Sequence, residues 1–98
     1  MRNLLNIGIK QETIDKMIEK NGEIIISNLD HNYKNVYKMI NIMSIFKIED
    51  INNLLINYTP IFTVDYENAI NALSKTNKQT IEEINEDPAI LFEILNIA

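Results

Sequence analysis

The strongest constraint on the fold of this chain is the helical spacing of its apolar residues, which recurs along almost all of the 98 positions. Apolar residues at i, i+3 and i+4 place one apolar stripe along a helix. The clearest stripe consists of Tyr33, Val36, Tyr37, Ile40 and Met43. Two glycines and two prolines are too few for a β protein built from tight turns. We therefore predict an all-α fold, a short solenoid-like α-helical repeat bundle of about five to seven helices.

Turn-forming and capping residues mark the ends of the predicted helices. Gly22 adopts a left-handed conformation without steric cost and ends the helix before it. Asp30 and Asp65 each precede an apolar stripe, and we expect each to cap a helix N-terminus. A capping residue followed by proline, which is tolerated at the first helical position, occurs at Thr59-Pro60 and Asp87-Pro88.

One short run has the character of a strand. Ile24, Ile25 and Ile26 are consecutive and β-branched, as in a buried strand. The segments on both sides have helical spacing, so we interpret the run as a short buried turn of helix.

The predicted elements repeat along the chain. Two similar units, at about 9–45 and 46–77, each contain a helix, a short turn and a second helix that starts with tyrosine. A partial third unit covers residues 78–98. A unit this small cannot bury its apolar face alone, so neighbouring units must stack as in a solenoid. Residues 1–98 are therefore predicted to form a single all-helical domain.

Three segments carry a resemblance to a known family. They are Leu5-Asn6-Ile7-Gly8-Ile9, similar to a Leu-x-x-Gly-Leu-like start, and Thr59-Pro60-Ile61-Phe62 and Asp87-Pro88-Ala89-Ile90-Leu91, similar to a Pro-x-Leu-Leu step. With these segments the chain resembles, over most of its length, the three-helix repeats of mitochondrial transcription termination factors. The resemblance implies stacked helical repeats and a nucleic-acid partner.

The residue types present exclude most catalytic chemistry. The chain has no cysteine, which excludes thiolate nucleophiles and thiolate zinc sites. Its one histidine, His31, has no further ligands at metal-binding spacing and is interpreted as a surface or capping residue. Two isolated glycines cannot build a phosphate-binding loop. We expect no catalytic residue, no metal site and no cofactor, and we predict that the protein is not an enzyme.

Charge is distributed unevenly along the chain, whose net charge is −5. Residues 1–47 contain seven basic and five acidic residues, whereas residues 48–98 contain two basic and nine acidic residues. An acidic chain is unsuited to broad affinity for nucleic acid or anionic lipid. No apolar run approaches the roughly 18 residues of a membrane span. With no cysteine and no export signal, we expect a cytoplasmic location and no membrane association.

Four acidic residues near the C-terminus form the densest charged cluster: Glu82, Glu83, Glu86 and Asp87. Glu82 and Glu86 are four residues apart and share the outward face of a predicted helix. The cluster is either a solvated helix face or a contact surface for a basic protein partner.

Four lysines are the candidates for nucleic-acid contact: Lys16, Lys20, Lys34 and Lys38. Each pair has i, i+4 spacing and lines one helix face. Tyr33 and Tyr37 flank the second pair, and lysines beside aromatic rings can hold single-stranded nucleic acid. Tyrosines on an apolar stripe are also typical core residues, so both interpretations stay open.

Three functions are consistent with these residues. The first is a small non-enzymatic helical module that acts as a regulator or adaptor through protein–protein contact, by an apolar groove between stacked helices or by the acidic C-terminal end. The second is nucleic-acid binding similar to that of transcription termination factor repeats. The third is a small acidic inhibitor that imitates nucleic acid. A homodimer joined through oppositely charged ends is also left open.

Overall fold

A computed structural model describes residues 1–97 of the chain. The elements are α1 Arg2–Asn6, α2 Gln11–Asn21, α3 Glu23–His31, α4 Tyr33–Ile45, α5 Ile51–Asn57, a 3₁₀ helix Thr59–Thr63, α6 Tyr66–Ser74, α7 Lys78–Glu86 and α8 Ile90–Ile94. No strand occurs among the described residues, and the all-α prediction is confirmed. The helices outnumber the five to seven expected because Arg2–Asn6 is also helical and the isoleucine run opens a helix of nine residues.

Equivalent helices of the two predicted units lie side by side. Helix α2 packs against α5, and α4 packs against α6. Helix α3 contacts α1, α2 and α4, while the 3₁₀ helix contacts α4 and α5. Side-by-side packing of equivalent helices is what stacked units require. The boundaries of the units stay a prediction.

One hydrophobic core receives a buried side chain from every element. Its largest fully buried side chains are Phe62, Leu4, Ile14, Met17, Ile26, Met39, Met43, Leu54, Leu55, Ile61, Leu73 and Ile84. Among residues 1–97, no helix combines the length and the hydropathy that crossing a membrane demands.

Two of the predicted helix ends are confirmed. Gly22 ends α2 with φ 90° and ψ 155°, a conformation that is essentially restricted to glycine. The Asp65 carboxylate accepts a hydrogen bond from the Glu67 amide at 3.0 Å and caps α6. The predicted cap at Asp87 is displaced: its carboxylate accepts from the Ala89 amide at 3.2 Å in the turn before α8, but α8 itself starts after Ala89 and has no side-chain cap.

Two other predicted caps are wrong, because the side chains of Asp30 and Thr59 form hydrogen bonds with residues of other helices. Asp30 lies inside α3, and its carboxylate accepts a hydrogen bond from the Leu4 amide at 2.9 Å, which joins α1 to α3. Helix α4 instead starts after Asn32, without a side-chain cap. The buried Thr59 hydroxyl donates to the Leu55 carbonyl at 2.5 Å, back toward α5.

Asn35 on α4 fixes the connection between the 3₁₀ helix and α6. Its Nδ2 donates to the Val64 carbonyl at 2.8 Å, and its Oδ1 accepts from the Tyr66 amide at 3.0 Å. One half-buried side chain therefore satisfies two backbone groups of the connection and sets its distance from α4.

Contacts of two residues, Asn85 and Phe92, attach the C-terminal helix pair to the rest of the core. Asn85 on α7 accepts from the Glu49 amide at 2.8 Å and donates to the Lys47 carbonyl at 3.1 Å. The rings of Tyr58 and Phe92 lie with their centroids 5.9 Å apart, which joins α8 to the end of α5. Helices α7 and α8 are thereby held by both polar and aromatic contacts.

Candidate functional site

The outer face of α3 exposes two large apolar side chains. Ile24 is 79% exposed and Ile25 is 47% exposed, whereas Ile26 is fully buried. Successive residues of a helix point about 100° apart, so Ile26 and Leu29 turn toward the core while the two residues before Ile26 turn outward. The prediction of a buried turn is therefore wrong for two of its three isoleucines.

A groove lies between α3 and the end of the 3₁₀ helix with the residues that follow it, and we call it the α3 groove. Its volume is about 610 Å³. Apolar walls come from Ile25, Leu29 and Phe62. Polar walls come from Asn28, Asn32, Asn35, Thr63 and Asp65. Leu29 and Phe62 are almost fully buried, so they form a floor of which little is exposed.

A second depression adjoins the α3 groove, and we call it the lysine depression. It is lined by His31, Tyr33, Lys34, Lys38 and Tyr66, together with Asn32 and Asn35, and has a volume of about 490 Å³. The two hollows share the walls formed by Asn32 and Asn35. They therefore form one continuous surface, apolar at one end and basic at the other.

The side chains of the lysine depression have defined neighbours. The Lys38 ammonium lies 4.2 Å from the centroid of the Tyr66 ring, which is a cation–π contact. His31 Nδ1 lies 2.8 Å from the Ser27 carbonyl, and because a carbonyl only accepts, this nitrogen must carry the proton. Within residues 1–97 no carboxylate lies within 4.0 Å of Lys34 or Lys38.

The four candidate lysines do not share one set of neighbours. Lys16 forms an ion pair with Glu12 at 3.5 Å, and Lys20 donates to the Asn57 side chain on α5. Lys38 faces Tyr66 on α6 instead. The two lysine pairs therefore lie against different helices, and Glu12 offsets part of the charge of the first pair.

The acidic cluster is exposed at the C-terminal end of α7. Glu82, Glu83 and Glu86 lie on α7, and Asp87 follows its last residue. The Glu83 carboxylate accepts from the Gln79 side chain at 3.5 Å. Acidic residues at a helix C-terminus face the negative end of the helix dipole, so their position does not stabilise α7. Their role as protein contacts stays a prediction.

Two further kinds of polar site are absent from the part of the chain that the structure describes: metal-binding clusters and buried polar side-chain atoms without a partner. No group of three or more histidine, aspartate or glutamate side chains is placed to hold a metal ion among residues 1–97. No buried side-chain nitrogen or oxygen there lacks a hydrogen-bond partner.

Comparison with known proteins found no match for the chain. No family model, curated protein or solved structure matches it significantly. The resemblance to mitochondrial transcription termination factors stays a prediction.

Sequence reasoning missed the three residues that shape the α3 groove. Phe62 forms part of the floor, Asn35 holds the opposite wall, and Ile25 stands exposed at the rim. If a helix from the isoleucine run through Leu29 had been predicted, the rotation of about 100° per residue would have indicated that two of the three isoleucines are exposed. The position of Phe62 opposite α3 depends on tertiary packing and leaves no local pattern.

Proposed function

We propose that the protein is a non-enzymatic binding module that acts as a regulator or adaptor and contacts a protein partner through the outer face of α3 and the α3 groove. The observation that carries this proposal is the exposure of Ile24 and Ile25, at 79% and 47%, beside a groove with an apolar floor. Ile25 lines this groove and Ile24 is exposed next to it in the sequence, and exposed apolar side chains beside a groove are typical of surfaces that bind peptides or helices.

The two isoleucines have no evident local role in α3. Isoleucine is only a middling helix former, and a solvent-exposed position in a first turn favours polar residues instead. An isolated exposed apolar residue is ordinary on a protein surface, but Ile24 and Ile25 are adjacent on α3, and Ile25 lines the α3 groove. A partner that covers their apolar surface gains binding free energy, because that surface is removed from water.

The test compares one double variant with a matched control. In Ile24→Gln/Ile25→Gln both exposed isoleucines become polar, and in Ile45→Gln the same change is made at a site 72% exposed on α4. Because surface substitutions usually change stability by less than about 0.5 kcal/mol, both variants should keep the helical circular dichroism of the parent. We expect affinity capture from the native lysate, read by mass spectrometry, to lose its specific proteins with the double variant and to retain them with Ile45→Gln.

Two results would contradict the proposal. In one, the folded double variant captures the same proteins as the parent chain. In the other, the parent captures no protein beyond those that the double variant also retains. Either result would mean that the outer face of α3 is not a protein-binding surface.

Single-stranded nucleic-acid binding is the second candidate function. It is supported by Lys34 and Lys38, which have no carboxylate within 4.0 Å in residues 1–97 and lie beside two tyrosine rings. The net charge of −5 and the pairing of Lys16 with Glu12 disfavour it. An affinity for oligonucleotides that falls steeply with salt would favour it over protein binding.

A further inference from the structure

We propose that the α3 groove and the lysine depression together bind one acidic segment of a partner protein, whose large apolar side chain enters the groove and whose carboxylates meet Lys34 and Lys38. This inference rests on the proposed function and adds the chemistry of the partner. Its basis is the continuity of the two hollows, which share Asn32 and Asn35.

The apolar end of the site fits an aliphatic or aromatic side chain. Leu29 and Phe62 lie at the bottom of the groove but are only 2% and 1% exposed, so Ile25 supplies the largest apolar side-chain area that a partner can cover there. Ile25 is half exposed and can close over a side chain that lies on this floor. A concave site that combines apolar side chains with a few polar groups can take an apolar side chain and fix its orientation.

At the basic end of the site, the positive charges of Lys34 and Lys38 are not neutralised by an ion pair within residues 1–97. Lys34 and Lys38 are one helical turn apart on α4, and neither has a carboxylate within 4.0 Å in residues 1–97. Like charges at this spacing repel each other, and an incoming carboxylate relieves the repulsion. The Tyr66 ring attracts the Lys38 ammonium through a cation–π contact but carries no negative charge that would neutralise it.

The acidic residues close to the site have other partners. Asp65 lines the far wall of the groove, and its carboxylate caps α6 through the Glu67 amide. The Glu67 carboxylate accepts a hydrogen bond from the Tyr66 hydroxyl at 3.3 Å. These two carboxylates favour a partner that carries its negative charge toward Lys34 and Lys38 and keeps it away from Asp65.

A second copy of this chain is a poorer occupant than a separate partner. The acidic residues of α7 could supply carboxylates to the lysine depression. However, the large apolar side chains exposed between Met1 and Ile97 are Leu5, Ile24, Ile25, Tyr37, Ile45 and Ile70. None of them lies on α7 or α8, so an acidic helix from a second copy brings no apolar anchor to the groove.

The experiment titrates the ¹⁵N-labelled chain with three synthetic peptides of equal length and follows amide chemical shifts at low salt. The first peptide combines glutamate with leucine, the second combines lysine with leucine, and the third combines glutamate with serine. We expect the glutamate–leucine peptide to shift the amides of α3, of the start of α4 and of residues 62–66. The other two peptides should bind at least about tenfold more weakly, because each lacks one of the two complementary features.

Two double variants separate the role of the site from that of net charge. Lys34→Gln/Lys38→Gln removes the charge of the lysine depression, and Lys16→Gln/Lys20→Gln removes the same charge from α2. We expect the first to weaken binding of the glutamate–leucine peptide by about tenfold and the second to leave it within about twofold. All four lysines are exposed, so the spectra of both variants should otherwise match that of the parent.

Several outcomes would overturn the inference. If no peptide shifts these amides at millimolar concentration, the site does not bind such segments. If the lysine–leucine peptide binds equally well, the assigned charge is wrong, while the proposed function still stands on the lysate capture. A single-stranded oligonucleotide that binds the lysine depression more tightly than any peptide would assign it to nucleic acid. Self-association at low salt that Lys34→Gln/Lys38→Gln abolishes would assign it to a second copy.

Discussion

Asn35 shapes the α3 groove by holding the wall opposite α3. Asn35→Ala removes two hydrogen bonds and leaves the Val64 carbonyl and the Tyr66 amide without that partner. We expect the free energy of unfolding to fall by about 1–3 kcal/mol. The control is Asn71→Ala, an exposed position on α6 with the same gain in helix propensity, which should leave stability unchanged or raise it slightly. Urea denaturation followed by circular dichroism measures both.

A loss of stability no larger for Asn35→Ala than for Asn71→Ala would show that the two hydrogen bonds are replaced by water. The sequence alone does not show that Asn35 forms these hydrogen bonds and that Asn71 does not. It contains 15 asparagines, and the partners of Asn35 lie 29 and 31 positions away. Bonds over such separations follow from tertiary packing, whereas the cap at Asp65 acts within two residues and was predictable.

Helices α1, α4 and α8 end in the same hydrogen-bond pattern, with a left-handed residue followed by isoleucine. In α4 the Ile48 amide donates to the Met43 carbonyl at 2.8 Å, and Lys47 has φ 62°. A left-handed residue with a side chain costs roughly 1–2 kcal/mol. Lys47→Gly should therefore raise the free energy of unfolding by up to about 1 kcal/mol, as measured by urea denaturation.

Lys75→Gly is the matched control, because it removes the same charge at the C-cap of α6. Lys75 has φ −88°, in the right-handed region, so glycine gives no relief there and should lower stability by about 0.5–1 kcal/mol. Changes of the same sign in both variants would contradict the assignment of strain to Lys47.

The helix ends show which signals in the sequence were sufficient. Gly22 was predictable because glycine is the residue that such a backbone favours, while Lys47 occupies a position where glycine is usual and gave no signal. The isoleucine run at Ile24–Ile26 misled the prediction because β-branched residues are usually buried. Its helical geometry turns Ile24 to solvent, and the candidate binding surface begins there.

At the scale of the whole chain, apolar spacing predicted the all-α class, since every helix needs an apolar stripe to join the core. The α3 groove was not predictable from that spacing. It forms where α3 meets the end of the 3₁₀ helix, more than thirty positions later in the chain. The core is continuous from Leu4 to Leu91, although the helices stack as neighbouring units do in a solenoid.

A continuous core predicts that the chain unfolds as one cooperative unit. Ile84 is fully buried on α7, and Ile84→Ala should lower the free energy of unfolding by about 2–5 kcal/mol. Ile70→Ala makes the same change at a site 38% exposed on α6 and should cost clearly less. Because Asn85 and the Tyr58–Phe92 contact join α7 and α8 to the core, Ile84→Ala should reduce amide hydrogen-exchange protection in α2 and α4 as much as in α7. Loss of protection confined to α7 and α8 would instead show that the units unfold separately, as in long repeat arrays.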